Sequence, residues 1–342
     1  MSDFRSDNVL GGSAEVVDAI ARAAAGTMTS YGGDEITARV RKLCSAIFER
    51  DVDVFPVVSG TAGNALAIAA LTPPWGAVFC HEDAHIQRDE LGAVEFFSGG
   101  AKLIPIPGAD GKLHPQDLER AIHEVRVSKK TAVPACLSIT NVTEAGTVYS
   151  EAEVLALCQV ATRHGLRVHI DGARFANALV QGGGKPPHSI DILTLGGTKN
   201  GTLTADLIVV FRKGLAEEVA LRAHRSGHRP SKMRFQSAQL EAYLKGDLWL
   251  RNARHANTMA AHFREGVKGK VEIVRPVDAN IVFIRIDRAR YESLRASGFL
   301  FGDWPIFGDE VYRLVFGFNT RIDQVNALIS HILDSNSPIS SK

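Results

Sequence analysis

Residues 132–139 read AVPACLSI and residues 206–211 read DLIVVF. The stretches 52–59 (VDVFPVVS), 77–80 (AVFC), 166–171 (LRVHID) and 189–197 (SIDILTLGG) follow the same pattern. All are short, and apart from LRVHID they are mainly apolar, without the sustained in–out alternation of a strand that has one wet face. Such runs suit strands covered on both sides, the environment of a parallel sheet flanked by helices. Longer segments with helical character lie between them. Residues 61–72 (TAGNALAIAALT) form one. Residues 114–126 (HPQDLERAIHEVR) form a second, with Pro115 at a favourable first-turn position. Residues 150–165 (SEAEVLALCQVATRHG) form a third, with Ser150 as N-cap and Gly165 past the end. The run AKLIPIP (101–107) carries prolines, which cannot donate to a ladder, so it belongs at a sheet edge. The expectation is an α/β domain with a mostly parallel sheet over residues 13–247.

From residue 248 the pattern changes. LWLRNARHANTMAAHFREGV reads as one long helix. VEIVRP, ANIVFIRID, a helix near 288–297, VYRLVF (311–316) and a last helix near 320–335 follow, which predicts a smaller α+β domain over 248–342. The tail SNSPISSK reads as a frayed end.

Composition narrows the function. With 39 basic and 38 acidic residues the formal net charge is +1, which gives no footprint for nucleic acid. No apolar run is long enough to span a membrane. The opening MSDFRSDNVL lacks the apolar core of an export signal. Four widely spaced cysteines suit reduced thiols in a cytoplasm, and they form no CxxC pair. The 12 histidines show no HExxH spacing, so no metal is expected.

Ligands of open α/β sheets bind beyond the carboxyl ends of the strands. Asp171, in HIDGARFANA, stands at one such end, and Lys199, in LTLGGTKNG, follows another. The stretch SGTAGN (59–64) follows a strand and opens a helix, and its N–H groups with the Ser59 and Thr61 hydroxyls suit a phosphate. Taken singly, each has an ordinary reading: a turn Asp, a surface Lys, a capped helix. Together they are the parts that pyridoxal 5'-phosphate needs. The Lys forms a Schiff base, the Asp pairs with the pyridine nitrogen, and the helix start takes the phosphate. Arg174 then lies on the substrate side of Asp171.

These segments resemble the low-specificity L-threonine aldolases, in the threonine aldolase and β-eliminating lyase group of fold-type I (aspartate aminotransferase-like) pyridoxal-phosphate enzymes. The resemblance runs from FRSDN (4–8) through YGGDEIT (31–37), SGTAGNALA (59–67), EDAH (82–85), HIDGARFANA (169–178) and GGTKNG (196–201) to SKMRFQSAQLEAYL (231–244) and YRLVF (312–316). It implies that Lys199 holds the cofactor, Asp171 binds its ring nitrogen, and Ser59, Gly60 and Thr61 hold its phosphate. It implies that His85 stacks on the ring near the substrate hydroxyl, with His81 as a competitor for that role. Arg174 is placed at the cofactor and, with Ser6 and Arg313, at the substrate carboxylate. Residues 1–12 become a segment at the active site or interface. Tyr31, counted with the substrate-binding residues, and the Arg225–Arg234 region are expected from a neighbouring subunit of a cytoplasmic homotetramer, a dimer of dimers. The implied reaction is retro-aldol cleavage of β-hydroxy-α-amino acids to glycine and an aldehyde. An aminotransferase or β-eliminating lyase of the same fold, or a non-catalytic α/β binding protein, are the alternatives. The sequence departs from the family at TNVTEAG (140–146), where Thr140 stands for a Glu and Asn141 remains, and its nearest second histidine is His123. That leaves the general base and the threo or erythro preference open.

Overall fold

The computed structural model describes residues 2–334, so the tail read as frayed lies outside the described residues. The strands are β1 (Ser2–Asp3), β2 (Asp53–Val57), β3 (Gly76–His81), β4 (Lys102–Ile106), β5 (Val133–Thr140), β6 (Arg167–Gly172), β7 (Ile192–Leu195), β8 (Asp206–Val210), β9 (Glu272–Ile273), β10 (Ile281–Arg285), β11 (Phe299–Leu300), β12 (Gly302–Asp303) and β13 (Val311–Val315). A seven-stranded sheet runs in the order β2-β8-β7-β6-β5-β3-β4. Its pairs are parallel except those made by β8, which is antiparallel to both neighbours. The proline-bearing strand β4 is at the edge, as its missing N–H requires.

Side chains alternate across this sheet into two apolar layers. Leu137, Ile139, Val168, Ile170, Leu193 and Leu195 face one layer. Val78, Cys80, Cys136, Ile192 and Ile208 face the other. Each fully buried Leu, Ile or Val in these layers contributes roughly 1.5–3 kcal/mol. The second layer is completed by the helix Gly60–Leu71, buried around its whole circumference, which is why its sequence shows no polar stripe. The helix Glu151–His164 is held at its start by a reciprocal Ser150–Glu153 capping box and ends on Gly165 at φ 71°.

A four-stranded antiparallel sheet, β12-β13-β10-β9, has its own core of Phe263, Val282, Ile284, Leu314, Phe316 and Leu328 among others. The long helix Leu248–Gly266 packs on both the helix Phe175–Leu179 and the helix Ile322–Asp334, and so joins the two sheets. The N-terminus is strapped down by β1, which pairs in parallel with β11, and Val315 donates its N–H to the Phe4 carbonyl. Two further helices, Ala14–Ala23 and Glu35–Phe48, pack against the helix Arg234–Leu244.

Candidate active site

The carboxyl ends of β6 and β7 and the start of the helix Gly60–Leu71 converge on a cavity of about 240 Å³. Ser59, Gly60, Thr61, His85, Asp171 and Lys199 line it, together with Asn8, Asn64, Thr198 and Asp206. Six of the sequence-predicted residues therefore meet in one place. Ser6, Tyr31, Arg174 and Arg313 do not line it.

The lysine loop is held from below. Asp206, the first residue of β8, accepts from the Gly197 N–H at 2.7 Å, the Thr198 N–H at 3.0 Å and the Thr198 hydroxyl at 3.2 Å. Burial pushes the Asp206 carboxyl above its usual value, against the three Thr198 and Gly197 bonds and the charge of Lys199. Gly196 donates to the Gly172 carbonyl at 2.9 Å, and a side chain at 196 would collide with the Ala173 backbone. Glycine there lets the Lys199 loop close onto the end of β6. The Lys199 amine makes no hydrogen bond or ion pair with the described residues.

Asp171 accepts from the Ala173 N–H at 3.0 Å on Oδ1 and from Asn64 Nδ2 at 3.0 Å on Oδ2. A carboxylate has about four lone-pair sites, so it keeps capacity for a further donor. Asn64 Nδ2 also lies 2.9 Å from Glu90 Oε1, and Glu90 Oε1 lies 2.8 Å from His85 Nδ1. The result is a chain from His85 through Glu90 and Asn64 to Asp171. Its hydrogen bond to Glu90 raises the His85 pKa, with Glu144 and Asp171 adding to the effect. Burial raises Glu90 itself. Asn64 Oδ1 and Glu90 Oε2 are buried without a protein partner.

His81 is no competitor for this place. Its Nε2 meets the Gly108 carbonyl at 2.9 Å and its Nδ1 accepts from the Asp83 N–H at 3.0 Å, so both nitrogens fix the turn after β3. His123 is exposed on the helix Pro115–Ser128, away from the cavity. Asn141 is spent on Tyr149, accepting its N–H at 3.1 Å and donating to its carbonyl at 3.3 Å.

Arg174 pairs with Asp7 and not with the nearby Asp171. Its Nε and Nη2 reach the two Asp7 oxygens at 2.7 and 2.9 Å, and the side chains are only 5% and 1% exposed. Burial opposes the Asp7 charge, but Arg174 and Lys199 outweigh it and hold the carboxyl below its usual range. One edge of the Arg174 guanidinium is therefore already occupied by Asp7. Ser6 caps the turn Asp7–Val9 by accepting from the Asn8 N–H at 3.1 Å. Arg313 makes one long bond, from Nη2 to the Arg5 carbonyl at 3.4 Å, and its Nε is buried without a partner. Tyr31 is 47% exposed, tied by its backbone to Ser231 and Arg229.

Asp7, Asn8, Asn64, Glu90, Glu144 and Asp206 were not singled out from the sequence. Asp206 left a trace as the only charge in DLIVVF; Asp7 and Asn8 lay inside the quoted FRSDN; Glu90 left none. Glu144 sits on a turn beyond β5 in which the Thr143 and Thr147 hydroxyls bond to the Asp110 carbonyl. Its charge acts on His85, Arg174 and Arg313.

These residues suit an aldehyde cofactor that carries a phosphate and a ring nitrogen. The first-turn N–H groups of Gly60 and Thr61 have no intrahelical partner, and the space beside Gly60 is open. Asp171 retains acceptor capacity, and the Lys199 amine is unengaged. Comparison with known proteins agrees. The beta-eliminating lyase family model matches residues 3–289. The low specificity L-threonine aldolase of Pseudomonas aeruginosa is 38% identical over 336 residues, 96% of each chain. A solved Leishmania major threonine aldolase superposes with a TM-score of 0.92 at 26% identity, over 98% of this chain and 99% of that one. An Oryza sativa TDC solved with PLP and tryptamine shares the fold, with a TM-score of 0.76 at 16% identity over 97% of this chain and 82% of that one. A chain matched over most of its length by both the family model and the threonine aldolases, with the lysine, aspartate and helix start at one cavity, belongs to the beta-eliminating lyase family, among its threonine aldolases.

Proposed function

We propose that the protein is a pyridoxal-phosphate-dependent L-threonine aldolase that cleaves β-hydroxy-α-amino acids such as L-threonine and L-allo-threonine to glycine and an aldehyde. The observation that carries this reading is the meeting of Lys199, Asp171 and the Ser59–Thr61 helix start at one cavity, beside His85. Bound there, pyridoxal phosphate supplies an electron sink for the carbanion left at the substrate Cα. Lys199 provides the amine that anchors the cofactor aldehyde. Asp171 keeps the ring nitrogen charged, and Asn64 and the Ala173 N–H fix its orientation. Gly60 and Thr61 receive the phosphate.

His85 takes the proton of the β-hydroxyl as the Cα–Cβ bond breaks and the aldehyde leaves. Glu90 holds the ring for that transfer, and general-base help of this kind is worth about 10²–10⁴-fold. Arg313 and the remaining edge of Arg174 bind the substrate carboxylate, supported by the under-partnered state of Arg313. Ser6 shapes the turn beside them. We further place the division of the chain near residue 247, at the start of the helix Leu248–Gly266, whose first half (Leu248, Trp249, Ala253) packs in the core of the large sheet and whose second half (Met259, Ala260, Phe263) packs in that of the small one. Tyr31 and the Arg225–Arg234 region complete a neighbouring site in a cytoplasmic homotetramer. That reading is supported by the exposure of Tyr31 and by four free, buried cysteines.

The test uses purified protein with pyridoxal phosphate, and measures glycine and acetaldehyde from L-threonine without added keto acid. Both products form, and Lys199→Ala abolishes them along with the visible absorbance that borohydride bleaches. A dependence on keto acid makes it an aminotransferase instead. Normal turnover by folded Lys199→Ala refutes the site.

A further inference from the structure

Arg313 lies on β13, opposite Phe283 on β10 and Gly302 on β12. Its guanidinium carbon stands 4.0 Å from the centre of the Trp304 ring, well within the range of a cation–π contact. Trp304 is itself backed by Phe283 at 6.0 Å, and Phe283 by Phe307 at 4.8 Å. Trp304 Nε1 has no hydrogen-bond partner. The indole is therefore used for its face and not for its N–H.

The two site arginines are held in opposite ways. Arg174 is neutralised by a carboxylate that occupies one edge of its fork. Arg313 has no carboxylate within ion-pair distance among the described residues, and burial and the Arg174 charge both pull its pKa down. A partly buried cation with no paired carboxylate is unfavourable, and Glu144, Asp7 and Asp89 offset this only from beyond ion-pair distance. An aromatic face offsets part of that penalty through its quadrupole, and it does so without accepting from any N–H. A carboxylate in its place would consume the donors that a ligand needs.

We propose that Trp304 is a positioning residue for the substrate carboxylate: it holds the Arg313 guanidinium flat against its indole face, with the N–H groups left for the incoming anion. This rests on the carboxylate-binding reading of Arg313 given above. Trp304 touches no reacting atom and acts only through Arg313.

The experiment is a double-mutant cycle on the cofactor-loaded enzyme, with Trp304→Leu, Arg313→Ala and the double variant. Steady-state cleavage of L-threonine is measured, glycine binding is followed by the cofactor absorbance, and thermal unfolding is recorded for each. Trp304→Leu lowers kcat/KM by roughly 2- to 30-fold, mainly through KM, and weakens glycine binding in step. Trp304→Tyr retains most of the activity. In the Arg313→Ala background Trp304→Leu has no further effect. Should Trp304→Leu fail to fold, Trp304→Met fills the space without a π face and carries the same expectation. Wild-type kinetics for the Leu or Met variant, or a loss that persists undiminished without Arg313, overturns the proposal while leaving the carboxylate reading standing. Wild-type kinetics for Arg313→Ala overturns both.

Discussion

Asp7→Ala probes the contact on which the N-terminal segment, the large sheet and the small sheet all depend. Asp7 accepts from Arg174 Nε at 2.7 Å, Arg174 Nη2 at 2.9 Å and Asn280 Nδ2 at 3.1 Å. Asn280 keeps a second acceptor, the Phe316 carbonyl at 2.8 Å, so its loss is partial. Arg174 has no such reserve. With its side chain 5% exposed, it becomes a buried, unpaired cation close to Arg313 and Lys199. Breaking a buried pair from one side costs about 3–5 kcal/mol, whereas an exposed pair such as Arg39–Glu241 is worth about 0–1 kcal/mol. The assay is urea unfolding, read as the free energy of the first transition, because a chain with two sheets need not unfold in one step. Asp7→Ala and Arg174→Met each lose about 3–5 kcal/mol. The double variant Asp7→Ala with Arg174→Met loses far less than their sum, since no charge is then buried. The pH dependence has a definite sign. The folded Asp7 carboxyl is depressed, so its contribution is fully present above the unfolded value of about 3.9 and is lost as pH falls through the lower folded value. A loss below about 1 kcal/mol for Asp7→Ala, or simple additivity in the double variant, refutes the reasoning.

Glu90→Gln keeps an acceptor oxygen but removes the carboxylate charge behind the bond that raises His85, so the acid limb of kcat/KM, which reports His85 losing its proton, moves to lower pH; an unmoved limb means His85 is not the base. The same contact stabilises the fold below the ordinary histidine value of about 6.5 and loses that contribution as pH rises through the raised folded value, which thermal unfolding against pH detects. Asp171→Asn keeps the Ala173 contact but removes the charge, and turnover falls on the order of 10²-fold or more while cofactor remains bound; an unchanged kcat makes Asp171 a structural turn residue.

Much of this was legible in the residues. Unbroken apolar runs implied strands buried on both faces, and the prolines of AKLIPIP implied an edge; β4 is that edge. Ser150, Glu153 and Gly165 bounded a helix through bonds made within a few residues. Asp171 and Lys199 were found because strand ends are where α/β sheets present ligands, and the cavity has both on its wall. These inferences succeed because backbone satisfaction and apolar periodicity act over short sequence distances. The partners of those residues are another matter. Asp7 meets Arg174 across 167 positions, Asn64 meets Asp171 across 107, and Arg313 reaches the Arg5 carbonyl across 308. Glu90 is close to His85 in sequence, yet only its burial against Asn64 turns an ordinary loop glutamate into the group that raises the histidine. A side chain's charge state and its free donors depend on what the folded chain brings within 3 or 4 Å of it. The sequence alone determined which elements form and which residues could do chemistry. Only the tertiary structure decided that the Arg174 fork is half occupied and that Arg313, resting on Trp304, is left open.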